Sequence, residues 1–231
     1  MATIINIETS TDVCSVALTA DGGVLEHRED YDGRNHATKL SGFIEDVMKY
    51  ASSREIKIDA VAVSMGPGSY TGLRIGLSEA KGLAFGLGVP LIGVDTLKLL
   101  CVEVMFNKYV DEDSIFIPMI DARRMEVFTG AFDLSLVPMM PEQPLILEEN
   151  SFSRLIETGR SVLIFGNGSD KAATLLKGDN VHHIPGIKPV AISMMALSEL
   201  AYRRGEFIDL AYSVPNYLKD FQATTPKNKV L

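Results

Sequence analysis

The chain has 231 residues, of which 46% are apolar and 23% charged, a balance typical of a globular protein with one large domain or two small ones. Its formal net charge of −8 argues against tight nucleic-acid binding by this chain alone, because phosphate contacts need clustered lysines and arginines. No apolar run reaches the length of a membrane span, about 18 residues, and the start of the chain lacks a signal peptide's basic region. Cys14 and Cys101 have no C-x-x-C spacing, so we expect a reducing, cytoplasmic location.

The first half of the sequence predicts three strands followed by alternating helices and strands. Asn35 and Ser69 are the expected N-caps of the first two helices. In chain order the predicted elements are strands 4–8, 13–19 and 24–29, helix 36–50, strand 60–64, helix 70–87, strand 91–93 and helix 96–106.

The second half predicts the same order again, with Ser151 as the expected cap of its first helix. The predicted elements are strands 115–121, 126–132 and 144–147, helix 151–158, strand 162–165, helix 170–176, strand 181–184 and helix 191–204. Each half therefore reads β-β-β-α-β-α-β-α, an α/β pattern with a mixed sheet. Two such halves resemble the duplicated actin-like, ribonuclease-H-like fold. We expect domains at residues 1–107 and 108–214 and a tail at 215–231.

A sharp strand–turn–helix at Gly66-Pro67-Gly68-Ser69 is the most informative stretch of the chain. The glycines permit backbone geometries closed to other residues, and the first free N–H groups of the next helix can bind an anion. A dinucleotide fingerprint would need glycine at Thr71, and a phosphate-binding P-loop would need a lysine that is missing here. The esterase elbow would need glycine at Pro67. A plain glycine turn between a buried strand and its helix remains the alternative to a functional loop.

The helix after this turn contains four glycines, and each costs about 1 kcal/mol relative to alanine in a helix interior. They lie in pairs one turn apart, Gly72 with Gly76 and Gly82 with Gly86. Packing must offset this cost, either against the helix's own sheet or against another subunit, and the pattern alone does not separate the two. For an interface we predict that Gly76→Leu abolishes association and leaves the monomer folded.

Several motifs together resemble the bacterial TsaB (YeaZ) family: Ile7-Glu8-Thr9-Ser10, Arg34-Asn35-His36, the stretch 66–76, Asp121-Ala122-Arg123 and Pro215-Asn216-Tyr217-Leu218-Lys219. The resemblance spans nearly the whole chain. It implies the two-domain fold and a non-catalytic subunit that pairs with a TsaD-like catalytic subunit in making threonylcarbamoyladenosine on tRNA. It further implies a TsaE-like ATPase as a partner, a homodimer in isolation and only indirect contact with tRNA.

The resemblance also favours pairing through the first two helices. The partner-interface residues that it implies are His36, Leu40, Phe43, Val47, Gly72, Leu73, Ile75, Gly76, Ala80 and Leu83.

Catalytic relatives carry two histidines one helical turn apart, able to share a metal, but here Leu40 follows His36. His182 and His183 are adjacent and point to opposite faces of a strand, so we expect no metal site. The weak candidates for ATP or ADP binding are Glu8, Ser10, Asp121, Gly166 and Gly168.

We therefore expect an accessory subunit of a tRNA-modifying complex with no autonomous catalysis and no firm cofactor. One alternative is a nucleotide-dependent kinase or transferase that uses Glu8, Ser10 and Asp121 around ATP. A metal-dependent glycoprotease that uses His36 is a weaker one.

Overall fold

The computed structural model describes residues 2–33, 35–108 and 110–219. Arg34 of the second motif and the tail lysines beyond residue 219, Lys227 and Lys229, lie outside the described residues. No helix in these ranges has both the length and the apolar character needed to cross a membrane.

The first half forms one mixed sheet and its helices. Its elements are β1 (Ile4–Glu8), β2 (Cys14–Ala20), β3 (Gly23–Asp30), α1 (His36–Ser53), β4 (Ala60–Gly66), α2 (Tyr70–Leu87), β5 (Leu91–Asp95) and α3 (Thr96–Asn107). The strand order is β3-β2-β1-β4-β5, in which β1, β2 and β3 are antiparallel and β1, β4 and β5 are parallel.

The second half repeats this topology. Its elements are β6 (Ile115–Asp121), β7 (Glu126–Phe132), β8 (Pro138–Ile146), α4 (Ser153–Ile156), β9 (Val162–Phe165), α5 (Ser169–Leu175), β10 (Val181–Ile184), a 3₁₀ turn (Ala191–Met194) and α6 (Met195–Arg204). The order β10-β9-β6-β7-β8 places β6 where β1 lies in the first sheet, again with antiparallel hairpin neighbours and a parallel β9. The predicted α/β fold with two mixed sheets is confirmed.

Three local predictions were wrong. Asn35 makes no side-chain cap to α1; its amide group instead donates to Asp30. Ser151 does not cap a helix over 151–158 either, since its hydroxyl accepts from the Glu148 N–H and α4 has only four residues. The third strand of the second half begins at Pro138, well before the predicted residue 144. Its prolines lower strand propensity, and the sheet tolerates them because β8 is an edge strand.

Helix α3 packs between the two sheets. It contacts β4 and β5 on one side and β6 on the other, and Leu97, Leu100 and Val104 join the core around Phe116 and Phe132. A helix that is apolar all round suits this central place.

Residues 191–204 belong to the second half of the chain but pack against the first sheet. The 3₁₀ turn and α6 pack against β1, β2 and β5 of the first sheet. The predicted boundary between residues 107 and 108 follows chain order, whereas these contacts assign the last helix to the first sheet. Helices α1 and α2 cover the other face of that sheet.

Candidate functional site

A cleft with a cavity volume of about 1440 Å³ separates the two halves. The loops after β1 and β4 form one wall, and the turn after β6 with Asn167 forms the other. Residues Asn216–Lys219 also line it. Carboxyl ends of parallel strands and their loops are the usual place for ligand sites in open α/β sheets, so this cleft is the candidate site.

Glu8 ends β1 and is completely buried beneath the cleft. Burial raises the pKa of its carboxyl group, and hydrogen bonding from Ser10 opposes that rise only in part. One carboxyl oxygen accepts from the Ser10 backbone N–H. Of these two nucleotide candidates, Ser10 is among the residues that line the cleft and Glu8 is not, although Ser10 too is buried.

The turn Gly66–Ser69 lies directly against the loop after β1. The Ser69 N–H donates to the Ser10 carbonyl oxygen at 2.6 Å, and a Cβ atom at Gly68 would lie 2.3 Å from that oxygen. Only glycine fits this approach. Ser69 caps α2 by accepting from the Gly72 N–H at 3.2 Å, as predicted. The turn therefore uses its Ser69 N–H group to bind its own chain.

The glycines Gly72 and Gly76 face inward, toward Thr9. The Thr9 hydroxyl donates to the Gly72 carbonyl oxygen at 2.9 Å, and a Cβ atom at Gly76 would lie 2.2 Å from that hydroxyl oxygen. The structure argues against the prediction that Gly76→Leu leaves the monomer folded, because a leucine there would overlap the loop after β1.

Most of the predicted interface residues also lie inside the chain. Seven are buried against its own core or loops: His36, Leu40, Val47, Gly72, Leu73, Gly76 and Ala80. Phe43, Ile75 and Leu83 are half-buried, and they pack against the same core cluster. By contrast, Gly82 is exposed, with no atom near a Cβ position, and Phe85 is 80% exposed. The outward face of α2 thus carries the second glycine pair, not the first.

His36 opens α1 and is buried at the edge of the cleft. Its Nε2 donates to the Thr11 carbonyl oxygen at 2.8 Å, which fixes the loop after β1. Leu40, at the position of the second histidine in catalytic relatives, is a core residue with 1% exposure. The contacts give His36 a structural part.

Asp121 ends β6, the counterpart of β1, and is exposed in the cleft. Its carboxylate pairs with Lys171 and accepts from the Arg123 N–H at 2.8 Å. Its backbone N–H donates to the Asn167 side chain at 2.9 Å. These bonds occupy one carboxylate oxygen and the backbone N–H of Asp121.

The turn Gly166–Ser169 supports Asp121 from behind. A Cβ atom at Gly166 would lie 2.3 Å from the Met119 carbonyl oxygen, and one at Gly168 would lie 3.0 Å from the Asp121 backbone nitrogen. These nucleotide candidates are required for close packing on β6 and do not line the cleft. Sequence reasoning missed Asn167, which stands between the two glycines of a motif that it had noticed, and Lys171, for which the sequence offers no local signal.

The histidines of β10 do not converge. His182 is exposed, and the Nε2 atom of His183 lies 3.0 Å from the Ser169 hydroxyl oxygen and 3.3 Å from an Asp170 carboxylate oxygen. Both contacts use the same ring nitrogen, which is not the arrangement of a Ser-His-Asp triad. Across residues 2–33, 35–108 and 110–219, no group of three or more His, Cys, Asp or Glu side chains could hold a metal ion.

Comparison with known proteins places this fold in a family. Residues 21–137, about half of the chain, match the family described as TsaD, tRNA N6-adenosine threonylcarbamoyltransferase. The tRNA threonylcarbamoyladenosine biosynthesis proteins TsaB of Bacillus subtilis and Escherichia coli are each 29% identical to it, over 94% of this chain and 94% of their own length. The solved structure of YeaZ from Pseudomonas aeruginosa is 26% identical, with a TM-score of 0.78 over 94% of this chain and all of that one. The chain belongs to the TsaB (YeaZ) branch of the TsaD family.

Proposed function

We propose that this protein acts in the biosynthesis of threonylcarbamoyladenosine in tRNA as an accessory subunit that pairs with a TsaD-like catalytic subunit. The observation that carries the proposal is alignment along 94% of the chain with proteins named for that pathway. A TsaE-like ATPase completes the proposed assembly, and the acidic net charge leaves most tRNA contacts to other subunits.

A non-catalytic role is supported by the hydrogen bonds that the polar groups of the cleft walls make with the chain itself. The turn after β4 bonds to Ser10, Asp121 bonds to Lys171 and Asn167, and Leu40 fills the place of a second imidazole. A ligand that used the Ser69 N–H or the Asp121 N–H would first have to displace these bonds.

The second candidate is a nucleotide-dependent transferase. Its support is the size of the cleft, about 1440 Å³, with Ser10 and Asp121 on opposite walls. Pockets of about 300–1000 Å³ hold most small ligands, so space does not separate the two functions. Calorimetry of the isolated chain with Mg-ATP does: micromolar binding together with turnover favours the transferase.

Reconstitution tests the first proposal. The chain is mixed with the TsaD-like and TsaE-like subunits of the same organism, unmodified tRNA, threonine, bicarbonate and ATP, and the modified nucleoside is measured by mass spectrometry. We expect formation only in the complete mixture. The proposal fails if the chain alone forms the product, or if leaving it out has no effect.

We also propose that the partner, and a second copy of the chain in its absence, binds the outward face of α1 and α2. This face is defined by Phe43, Ile75, Ser78, Gly82 and Phe85. It is supported by the exposure of Phe85 and by the open space around Gly82, where small residues permit close helix approach.

The surface is tested with Gly82→Arg, since Gly82 is exposed and no atom lies within 4 Å of a Cβ placed there. Ala196→Arg on exposed α6 is the matched control. We expect Gly82→Arg to abolish pairing in light scattering and pull-down assays, while Ala196→Arg pairs normally and both variants melt like the parent. Equal pairing by the two variants would exclude this face.

A further inference from the structure

Residues 205–219, here called the strap, leave α6 and run along the first half of the molecule. The Ile208 N–H donates to the Leu91 carbonyl oxygen at 2.8 Å, which adds a short bridge to the edge strand β5. Lys81 of α2 then donates to the carbonyl oxygens of Ala211 and Ser213, at 3.2 and 2.8 Å. The strap is thus bound to both an edge strand and a helix.

The strap next reaches the mouth of the cleft. The Asn216 N–H donates to the Met65 carbonyl oxygen at 2.6 Å, at the end of β4. Gly66 has φ +105°, and a Cβ atom there would lie 2.8 Å from the Asn216 carbonyl oxygen. The Tyr217 ring packs on Tyr70, the first residue of α2, with 5.0 Å between ring centroids.

The last described residue crosses to the other half. The Lys219 ammonium group lies 2.8 and 3.0 Å from the two carboxylate oxygens of Glu126, the first residue of β7. These side chains are 37% and 20% exposed, so solvent screens the pair only in part. Asn216 is thus hydrogen-bonded to the first sheet, and Lys219, three residues later, forms an ion pair with the second sheet.

The two halves are joined elsewhere by α3 and by the segment from β10 to the 3₁₀ turn. That segment has its own ion pair, Lys188 with Asp12 at 2.8 Å, and a hydrogen bond from the Ala191 N–H to the Ser15 hydroxyl group. In these two places the polypeptide chain itself runs from one half to the other, whereas the strap's contact with β7 is made by side chains alone.

We propose that the strap is a latch that limits the opening of the cleft. Tyr217 anchors the strap to α2, and Lys219 holds the end of the turn after β6 through Glu126. Opening would be a rotation of the two halves about α3, which connects them. The contacts with β4 and α2 keep the strap on the first half, and the Lys219–Glu126 ion pair is the contact that breaks when the cleft opens. Since an exposed ion pair changes an equilibrium by about fivefold at most, release is readily reversible. This inference concerns the isolated chain and does not depend on the proposed function.

The experiment measures the distance between the halves in the full chain. Spin labels are attached to Ser52→Cys on α1 and Ser135→Cys after β7, which are both exposed, whereas the native Cys14 and Cys101 are buried. Distance distributions are recorded for the parent, Lys219→Glu, Tyr217→Ala with Lys219→Glu, and the exchange Lys219→Glu with Glu126→Lys. Lys188→Glu serves as the matched control, since it breaks an ion pair at the fixed crossing.

We expect Lys219→Glu to raise the population of longer distances by up to about fivefold, and Tyr217→Ala to raise it further. The charge exchange should restore the parent distribution, and Lys188→Glu should leave it unchanged. Circular dichroism checks that every variant is folded. The latch is excluded if the Tyr217→Ala, Lys219→Glu double variant matches the parent, or if Lys188→Glu opens the cleft as much as Lys219→Glu does.

Discussion

The two halves carry the same turn in equivalent places, Gly66-Pro67-Gly68-Ser69 after β4 and Gly166-Asn167-Gly168-Ser169 after β9. The first glycine of each has positive φ, +105° and +96°. Their neighbours differ. The first turn closes on a buried loop that begins at Glu8, whereas the second supports the exposed Asp121. Local sequence thus sets the shape of the turn, and both turns pack closely on a neighbouring strand end or loop. What differs between the halves is the carboxylate at that strand end, which is buried at Glu8 and exposed at Asp121.

The largest expected effect separates the two glycine pairs of α2. Gly76→Leu should lower the free energy of unfolding by about 3 kcal/mol or prevent folding, because its Cβ would already lie 2.2 Å from the Thr9 hydroxyl oxygen. Gly86→Ala, on the exposed part of the same helix, should raise it by about 0.5–1 kcal/mol. Urea denaturation of both variants measures the difference. A well-folded Gly76→Leu variant would contradict the inward packing.

A smaller effect compares the turns directly. Gly68→Ala should cost about 2 kcal/mol, since its Cβ would lie 2.3 Å from the backbone oxygen of Ser10. Gly168→Ala should cost about 1 kcal/mol, because the Asp121 backbone nitrogen is 3.0 Å away and the Val127 methyl group can shift. Equal losses of unfolding free energy in urea denaturation would contradict the prediction, because they would mean that the surroundings of both glycines adjust equally to a methyl group.

The two serines of these turns should also differ. Ser69→Ala removes the cap of α2 and should lower stability by about 1 kcal/mol. The Ser169 hydroxyl group does not cap α5; it donates to the Gly166 carbonyl oxygen at 2.7 Å. Hydrogen exchange should therefore show faster fraying at the start of α2 in Ser69→Ala and no comparable change at α5 in Ser169→Ala.

A further comparison concerns the strand-end carboxyl groups, Glu8 and Asp121. The pKa of Glu8 is raised by burial, so the folded state holds a proton that the unfolded state loses above about pH 4.5. Glu8 therefore favours the folded state most at low pH, and this contribution is lost as the pH rises through the folded-state pKa. Glu8→Gln should flatten the pH dependence of stability above pH 4.5, whereas Asp121→Asn, at an exposed ion pair, should change stability by less than about 1 kcal/mol. An unchanged pH profile in Glu8→Gln would contradict the raised pKa.

Much of the fold was predictable because it depends on local pattern. The short apolar runs at β1 and β9 and the capped glycine helix α2 have the bounds that the sequence predicts. Two of the failures were β8, where prolines lower the strand propensity of an edge strand, and α4, where a serine turn resembles a helix cap. In both places the deciding factor was a neighbour that periodicity does not reveal.

The candidate site was predicted less well. Ser10 and Asp121 do face the same cleft, yet Glu8 lies below it, and Gly166 and Gly168 pack behind β6. Lys171 and Asn167, which occupy the polar groups of Asp121, come from separate positions along the chain.

The sequence by itself determined the order of elements, the duplication, the capped turn and the family, because these are written in residue spacing over short stretches. Only the tertiary structure decided which glycines face inward and that Lys219 meets Glu126. It also decided that α3 packs between the two sheets and that α6 packs on the first sheet. Such contacts join residues far apart in the chain, and their geometry depends on how two whole sheets are placed.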